Sequence, residues 1–153
     1  MIVPAEGDFR LDDQAATERL GAMLSKTVQP GDAICLRGPL GAGKSTLARA
    51  LIRALTRPDE EAPSPTFTLV QVYDGREFPI AHFDLYRLTS ADEAYELGLD
   101  EALAEGAAVI EWPERLGRHL PASRLDIEIA IDGEARRARL TPHGDFEGRP
   151  LEF

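Results

Sequence analysis

Gly38-Pro39-Leu40-Gly41-Ala42-Gly43-Lys44-Ser45 is the stretch on which the reading of this 153-residue chain turns. It matches G-x-x-x-x-G-K-[ST], a pattern in which every fixed position has a physical task. Gly38, Gly41 and Gly43 can adopt backbone angles closed to other residues, so successive N–H groups can turn inward around phosphate oxygens. A helix beginning at Lys44 would point its positive end at the same anion. The Lys44 ammonium would then reach the β- and γ-phosphates, and the Ser45 hydroxyl a bound Mg²⁺. A flexible glycine turn with a stray lysine is the bland alternative, and the flanks argue against it. Ala33 to Arg37 is an apolar run that reads as a buried strand. Lys44 to Arg57 sets Leu47, Leu51, Ile52 and Leu55 on one helical face and Arg49, Arg53 and Arg57 on another, and Pro58 follows to end the helix.

Working outward, Asp12 to Lys26 carries Ala16, Leu20, Met23 and Leu24 at helical spacing behind an acidic start. Asp59 to Pro65 reads as a loop. Thr68 to Tyr73 and Phe78 to Asp84 read as strands joined by a turn at Asp74-Gly75. Ser90 and Glu93 have capping-box spacing at the start of a further helix. Ala107 to Glu111 is another buried strand, and Leu125 to Ile131 with Ala135 to Leu140 flank a hairpin signal at Asp132-Gly133. His143 to Phe153 is turn-rich and expected to fray. Strand, helix and then more strands predict one α/β domain over residues 1–153. The expected fold is P-loop NTPase-like: a mixed, mostly parallel central sheet flanked by helices, with a C-terminal β-hairpin.

Composition bounds the function classes. Hydrophobic residues make up 43% of the chain, enough for a packed core. Cys35 is the single cysteine, so no internal disulfide can form, and its apolar surroundings suggest a buried thiol in a reducing compartment. Met1 to Phe9 has neither the basic nor the apolar segment of a secretory leader. No apolar stretch approaches the roughly 20 residues a membrane helix needs. A cytoplasmic protein is expected, with no membrane contact. Net charge is −10, which argues against unaided binding to DNA or RNA.

A phosphate cradle needs a second element to hold the metal and the attacking water. Two strands end in acids, Ile80 to Asp84 and Ala107 to Glu111, and ligands of open α/β sheets bind beyond the carboxyl ends of strands. An acid closing a strand is often only a turn residue, so Asp84 and Glu111 are both candidates at this point. Ser64-Pro65-Thr66-Phe67-Thr68 lies where a switch segment would sit, with Thr66 the best γ-phosphate sensor; an ordinary rigid loop explains the spacing equally well. His82, inside an apolar strand, reads as a hydrogen-bonded core histidine rather than a metal ligand. Trp112 reads as packing beside Glu111. Arg136, Arg137 and Arg139 read as surface charges, one of which could stack on a purine.

Several segments together resemble the bacterial TsaE (YjeE) family of P-loop ATPases. They are Gly38 to Thr46, Ser64 to Val70, His82-Phe83-Asp84-Leu85-Tyr86-Arg87-Leu88, Glu96 to Glu101 and Ile110-Glu111-Trp112-Pro113-Glu114, in the family's order. The glycine loop alone implies only an NTPase; His-Phe-Asp-Leu-Tyr-Arg and Glu-Trp-Pro-Glu are the specific parts. The resemblance implies an ATP- and Mg²⁺-dependent role in making threonylcarbamoyladenosine on tRNA. It implies docking on a TsaB–TsaD pair, through which tRNA is reached indirectly. It further implies that Lys44 and the amides from Gly38 through Leu40, Gly41, Ala42, Gly43, Ser45 and Thr46 hold phosphates. Ser45 and Glu111 would bind Mg²⁺ with Asp84 close by, Asp84 would serve hydrolysis, and Thr66 would belong to the first switch. Asp13 to Thr17 and Arg136 would lie near the base. Ser45 stands where the family often has Thr, and Pro39 where it usually has Asp or Asn; neither change removes a fixed motif residue.

Two alternatives were weighed. A small-molecule, nucleoside-type kinase finds support in Asp84-Leu85-Tyr86-Arg87 and in Arg115 and Arg118 as lid candidates, but the chain leaves little room for a substrate-binding region. A guanine-specific switch needs asparagine in Asn-Lys-x-Asp, and the chain contains no asparagine. The nucleotide motifs supply no obvious arginine finger, so slow hydrolysis by the isolated chain is expected.

Overall fold

The computed structural model describes residues 2–152. Met1 and Phe153, the outer ends of the segments read as leaderless and as fraying, lie outside them. In chain order the elements are β1 (Ile2–Pro4), β2 (Gly7–Leu11), α1 (Gln14–Ser25), β3 (Ala33–Arg37), α2 (Lys44–Leu55), β4 (Val70–Tyr73) and β5 (Ile80–Asp84). They continue with α3 (Ala91–Tyr95), α4 (Leu99–Glu105), β6 (Ala107–Glu111), a 3-10 segment Pro113–His119, β7 (Arg124–Asp132), β8 (Ala135–His143), a short 3-10 turn Gly144–Phe146 and β9 (Pro150–Glu152).

Seven strands form one sheet in the order β2-β8-β7-β3-β6-β5-β4. The central four, β7, β3, β6 and β5, run parallel, and the pairs toward both edges are antiparallel. The parallel strands read as continuous apolar runs because both sheet faces are covered. On one face α1 and α2 pack over Ile34, Leu36, Ile80, Val109, Leu125 and Ile127. Gly21 lets the two helices approach closely, since a Cβ there would lie 2.7 Å from that of Ala50. On the other face α3, α4 and Leu116 cover Cys35, Ala81, Phe83 and Ile110. The expected α/β class with a mixed central sheet and a C-terminal hairpin is the observed one. Asp132 pairs with Ala135, so the hairpin turn is Gly133-Glu134, with Gly133 at φ 63°.

Local differences have local causes. The strand expected from Thr68 begins only at Val70, because Leu69 is left-handed at φ 70° and its N–H bonds back to Pro65 O at 2.7 Å. The following strand starts at Ile80 rather than Phe78, after Pro79, which has no N–H to give a ladder. Helix α2 stops at Leu55, where Thr56 leaves helical angles and turns its hydroxyl onto Ile52 O. Gly98, at φ 96°, separates α3 from α4. Strands β1 and β2 were not anticipated, since their sparse apolar pattern is that of edge strands. The C-terminal tail, expected to fray, pairs as β9 with β1 and buries Phe146 and Leu151 fully. Arg149 secures it by bonding the buried Asp32 carboxylate and Thr27 O.

Candidate functional site

The carboxyl ends of β3, β5 and β6 converge on the first turn of α2, and the loop between β3 and α2 is the glycine-rich motif. Gly38, Gly41 and Gly43 hold φ of 140°, 82° and 106°. Such alternation around a buried Ala42 is the backbone form that turns amides toward an anion. At Gly38 a side chain is excluded outright, because a Cβ would lie 2.4 Å from Ile129 O of β7. The loop is thus seated directly on the sheet.

Leu40, Gly41, Gly43, Lys44, Ser45, Thr46, Ser64, Thr66, Asp84, Tyr86, Glu111 and Trp112 line one cavity of about 450 Å³. The Lys44 ammonium is turned down against Gly38 O at 2.5 Å and lies 3.6 Å over the centre of the Trp112 ring. Burial lowers its pKa, against the opposing pull of Glu111, Glu114 and Asp84. Tyr86 packs on the same indole, with ring centres 4.9 Å apart. Trp112 takes left-handed angles of φ 62° and ψ 50°, which turn the chain out of β6 into the 3-10 segment.

The two acids are direct neighbours, since Asp84 pairs with Glu111 in the β5–β6 register. Glu111 is buried and accepts three side-chain hydrogen bonds, each from a different element. Ser45 Oγ donates to Oε1 at 2.9 Å, and Ser64 Oγ and His82 Nε2 reach Oε2 at 2.9 and 2.7 Å. Burial alone would raise its pKa, but the bonds from His82, Ser64 and Ser45 prevail and hold the carboxyl below its ordinary value. Asp84 accepts the Tyr86 N–H at 3.1 Å on Oδ1 and faces the Ser64 and Thr66 hydroxyls at 2.8 and 3.3 Å on Oδ2. Ser64 therefore stands between both carboxylates with a single proton to give.

This donor set fits a hard divalent cation. Ser45, Glu111 and Asp84 offer only oxygen. Ser45 Oγ and Glu111 Oε1 already meet through a hydrogen bond of 2.9 Å, so both oxygens could turn to one such cation. No group of three or more His, Cys, Asp or Glu is placed to hold a metal among the described residues.

Most residues singled out in the sequence thus meet here. Arg136 joins them from β8, its guanidinium 3.4 Å from Gly41 O, whereas Arg137 and Arg139 pair with Asp132 and Asp8 at the surface. Asp13 and Thr17 do not line the cavity: Asp13 caps α1 by accepting Ala16 N–H at 2.9 Å, and Thr17 is buried. Their neighbours Gln14 and Glu18 share a separate hollow of about 300 Å³ with Thr46. His82 is the hydrogen-bonded core histidine expected from the sequence, but its partner, Glu111, was not foreseen, and neither was the part played by Ser64, beside Thr66, and by the Tyr86 N–H. The polar His82 inside a strand that ends in Asp84 was the available signal.

The chain is similar to known proteins over most of its length. The family model described as threonylcarbamoyl adenosine biosynthesis protein TsaE matches residues 11–139. A tRNA threonylcarbamoyladenosine biosynthesis protein TsaE from Rickettsia felis is 36% identical over 127 residues, 83% of this chain and 74% of that one. Its namesake from Bacillus subtilis is 36% identical over 132 residues, 84% and 80% of the two chains. The crystal structure of Bacillus subtilis YdiB superposes with a TM-score of 0.75 at 30% identity, covering 95% of this chain and 89% of the other.

Proposed function

Because the chain belongs to the TsaE family of threonylcarbamoyladenosine biosynthesis proteins, we propose that it is a magnesium-dependent ATPase acting in that tRNA modification. In this reading residues 1–153 form one cytoplasmic P-loop unit. It drives or resets a TsaB–TsaD-type transferase and meets tRNA only through that complex. The observation that carries it is the Ser45–Glu111 contact at the foot of the glycine loop, a hydroxyl and a buried carboxylate brought together where a divalent cation would sit beside the phosphates. No helix among the described residues is long and apolar enough to cross a membrane, and the net charge of −10 is consistent with leaving RNA contact to partners.

The division of labour follows from the hydrogen bonds. Loop amides and Lys44 bind the β- and γ-phosphates, and Lys44 exchanges Gly38 O and the Trp112 face for phosphate oxygens. Ser45 and Glu111 would hold the metal, which would supply charge neutralisation at the phosphates. Asp84, steadied by the Tyr86 N–H, orients the attacking water and accepts its proton, directly or through a second water. Thr66 and Ser64, on the loop before β4, sense whether the γ-phosphate is present. Arg136, which reaches Gly41 O from β8, is the residue we assign to the nucleotide's base. The kinase alternative loses its lid: Arg118 is bound to Asp92 and Arg115 to Tyr86 O.

Calorimetry with Mg-ATP, followed by turnover measured with and without TsaB and TsaD, tests the proposal. Binding by the isolated chain and slow hydrolysis that accelerates with the partners are expected. Folded protein that releases no heat with Mg-ATP, alone or with the partners, would refute the nucleotide reading. Fast hydrolysis with no gain from the partners would refute partner control.

A further inference from the structure

We propose that His82 is a positioning residue for Glu111, fixing from below the carboxylate that receives the divalent cation. This rests on the nucleotide reading above and deepens it. His82 and Asp84 lie two residues apart in β5 and so share a face of the strand; Asp84 lines the cavity, whereas the His82 ring is buried and does not. Its Nε2 is 2.7 Å from Glu111 Oε2. A carboxylate only accepts, so the imidazole donates through Nε2–H. The other ring nitrogen, Nδ1, is buried and has no hydrogen-bond partner among the described residues. A buried orphan nitrogen is a cost that packing does not explain, since leucine of similar volume would avoid it. What the imidazole achieves is one directed N–H aimed at one oxygen.

That bond divides the work of the Glu111 carboxylate. Oε2 is held by His82 and Ser64, while Oε1 faces Ser45 alone. The Ser64 hydroxyl is shared with Asp84 and belongs to a loop, so its proton is not reserved for Glu111. His82 lies in the interior of a central strand, and of the three donors it is the one with neither a competing acceptor nor a cavity-facing position. It therefore leaves Oε1 presented to the cavity beside the Ser45 hydroxyl. Hydrogen bonds that orient metal ligands are typically worth 10- to 100-fold in metal affinity.

The test compares the full chain with His82→Leu, which keeps the volume and removes the donor, and His82→Gln, which keeps an N–H able to reach Glu111. ATP binding is measured calorimetrically in EDTA, and Mg²⁺ is then titrated into the nucleotide-loaded protein with Trp112 fluorescence as the readout. Unaltered ATP affinity in EDTA with a Mg²⁺ midpoint weakened about 10- to 100-fold in His82→Leu, largely recovered in His82→Gln, is the expected result. An unshifted midpoint in His82→Leu overturns the positioning role and leaves the nucleotide reading intact. Equal losses in both variants also overturn it, because shape rather than the donated hydrogen bond would then matter. If the unaltered chain shows no Mg²⁺ response, the positioning role falls together with the reading it rests on.

Discussion

Replacing Gly38 and Gly41 separately with alanine isolates the force that seats the phosphate loop on the sheet. Both glycines are positive in φ, but their surroundings differ. At Gly41, with φ 82°, an added Cβ meets nothing within 4 Å. Gly41→Ala should therefore lose only the left-handed penalty of about 1–2 kcal/mol. At Gly38 the backbone sits at φ 140°, outside the left-handed well open to other residues, and the Cβ would lie 2.4 Å from Ile129 O and 3.4 Å from Ile129 C. Ile129 is paired with Ala138 in the β7–β8 ladder, so its carbonyl cannot step aside without breaking the sheet. Backbone strain of about 1–3 kcal/mol adds to overpacking of similar size, giving about 2–6 kcal/mol for Gly38→Ala. For a chain of this length each kcal/mol moves Tm by roughly 2–4 °C. Thermal unfolding followed by circular dichroism should then show Gly38→Ala melting well below Gly41→Ala. Equal losses, or a larger one at Gly41, would refute the claim that the β7 carbonyl fixes the loop.

Three further outcomes are expected. Arg149→Ala strands the Asp32 carboxylate with only the Gln29 N–H and frees β9, so urea unfolding should register a loss of about 3 kcal/mol, whereas a loose tail would cost almost nothing. Lys44→Ala should abolish nucleotide binding while Asp84→Asn should keep binding and stop turnover; calorimetry paired with a phosphate-release assay separates the two, and normal turnover in Asp84→Asn would remove its assigned role. Burial raises the Cys35 thiol from 9.0 to about 12, so the proton is held more tightly in the folded than in the unfolded chain. The stability this confers is complete below about pH 9 and is lost as pH climbs toward 12. Cys35→Ala should flatten the alkaline limb of the unfolding curve, and at pH 8 a thiol reagent should react with the native protein only as fast as it opens.

How much was legible in the sequence depended on how local each feature is. The glycine loop is contiguous: its strand, turn and helix lie between Ala33 and Leu55, and eight adjacent residues carry its chemistry. The apolar runs of β3, β5 and β6 announced themselves because strands buried on both faces admit little else. Edge strands carry no such signature. Gly7–Leu11 buries only one residue fully, and β9 is stable because Arg149 and Leu151 find partners that are distant in the chain. The turn at Leu69 was hidden for a related reason, since its left-handed angle is repaid by a ladder bond from Asp84 N to Leu69 O at 2.9 Å.

The metal half of the site obeys the same logic, and that accounts for which residues went unnoticed. Glu111 is held by donors from α2, from the loop at Ser64 and from β5, and nothing in the spacing of positions 45, 64 and 82 encodes their meeting. Only the β5–β6 register, which sets Asp84 beside Glu111, makes them converge. A histidine inside an apolar strand is then ambiguous until its neighbour one strand away is known. The choice of Thr66 over Ser64 failed to anticipate the stronger contact because residue type was equal and only Ser64 reaches both acids. One hydroxyl proton cannot satisfy two carboxylates together, so the donors that serve one acid alone are Thr66 and the Tyr86 N–H for Asp84, and His82 and Ser45 for Glu111.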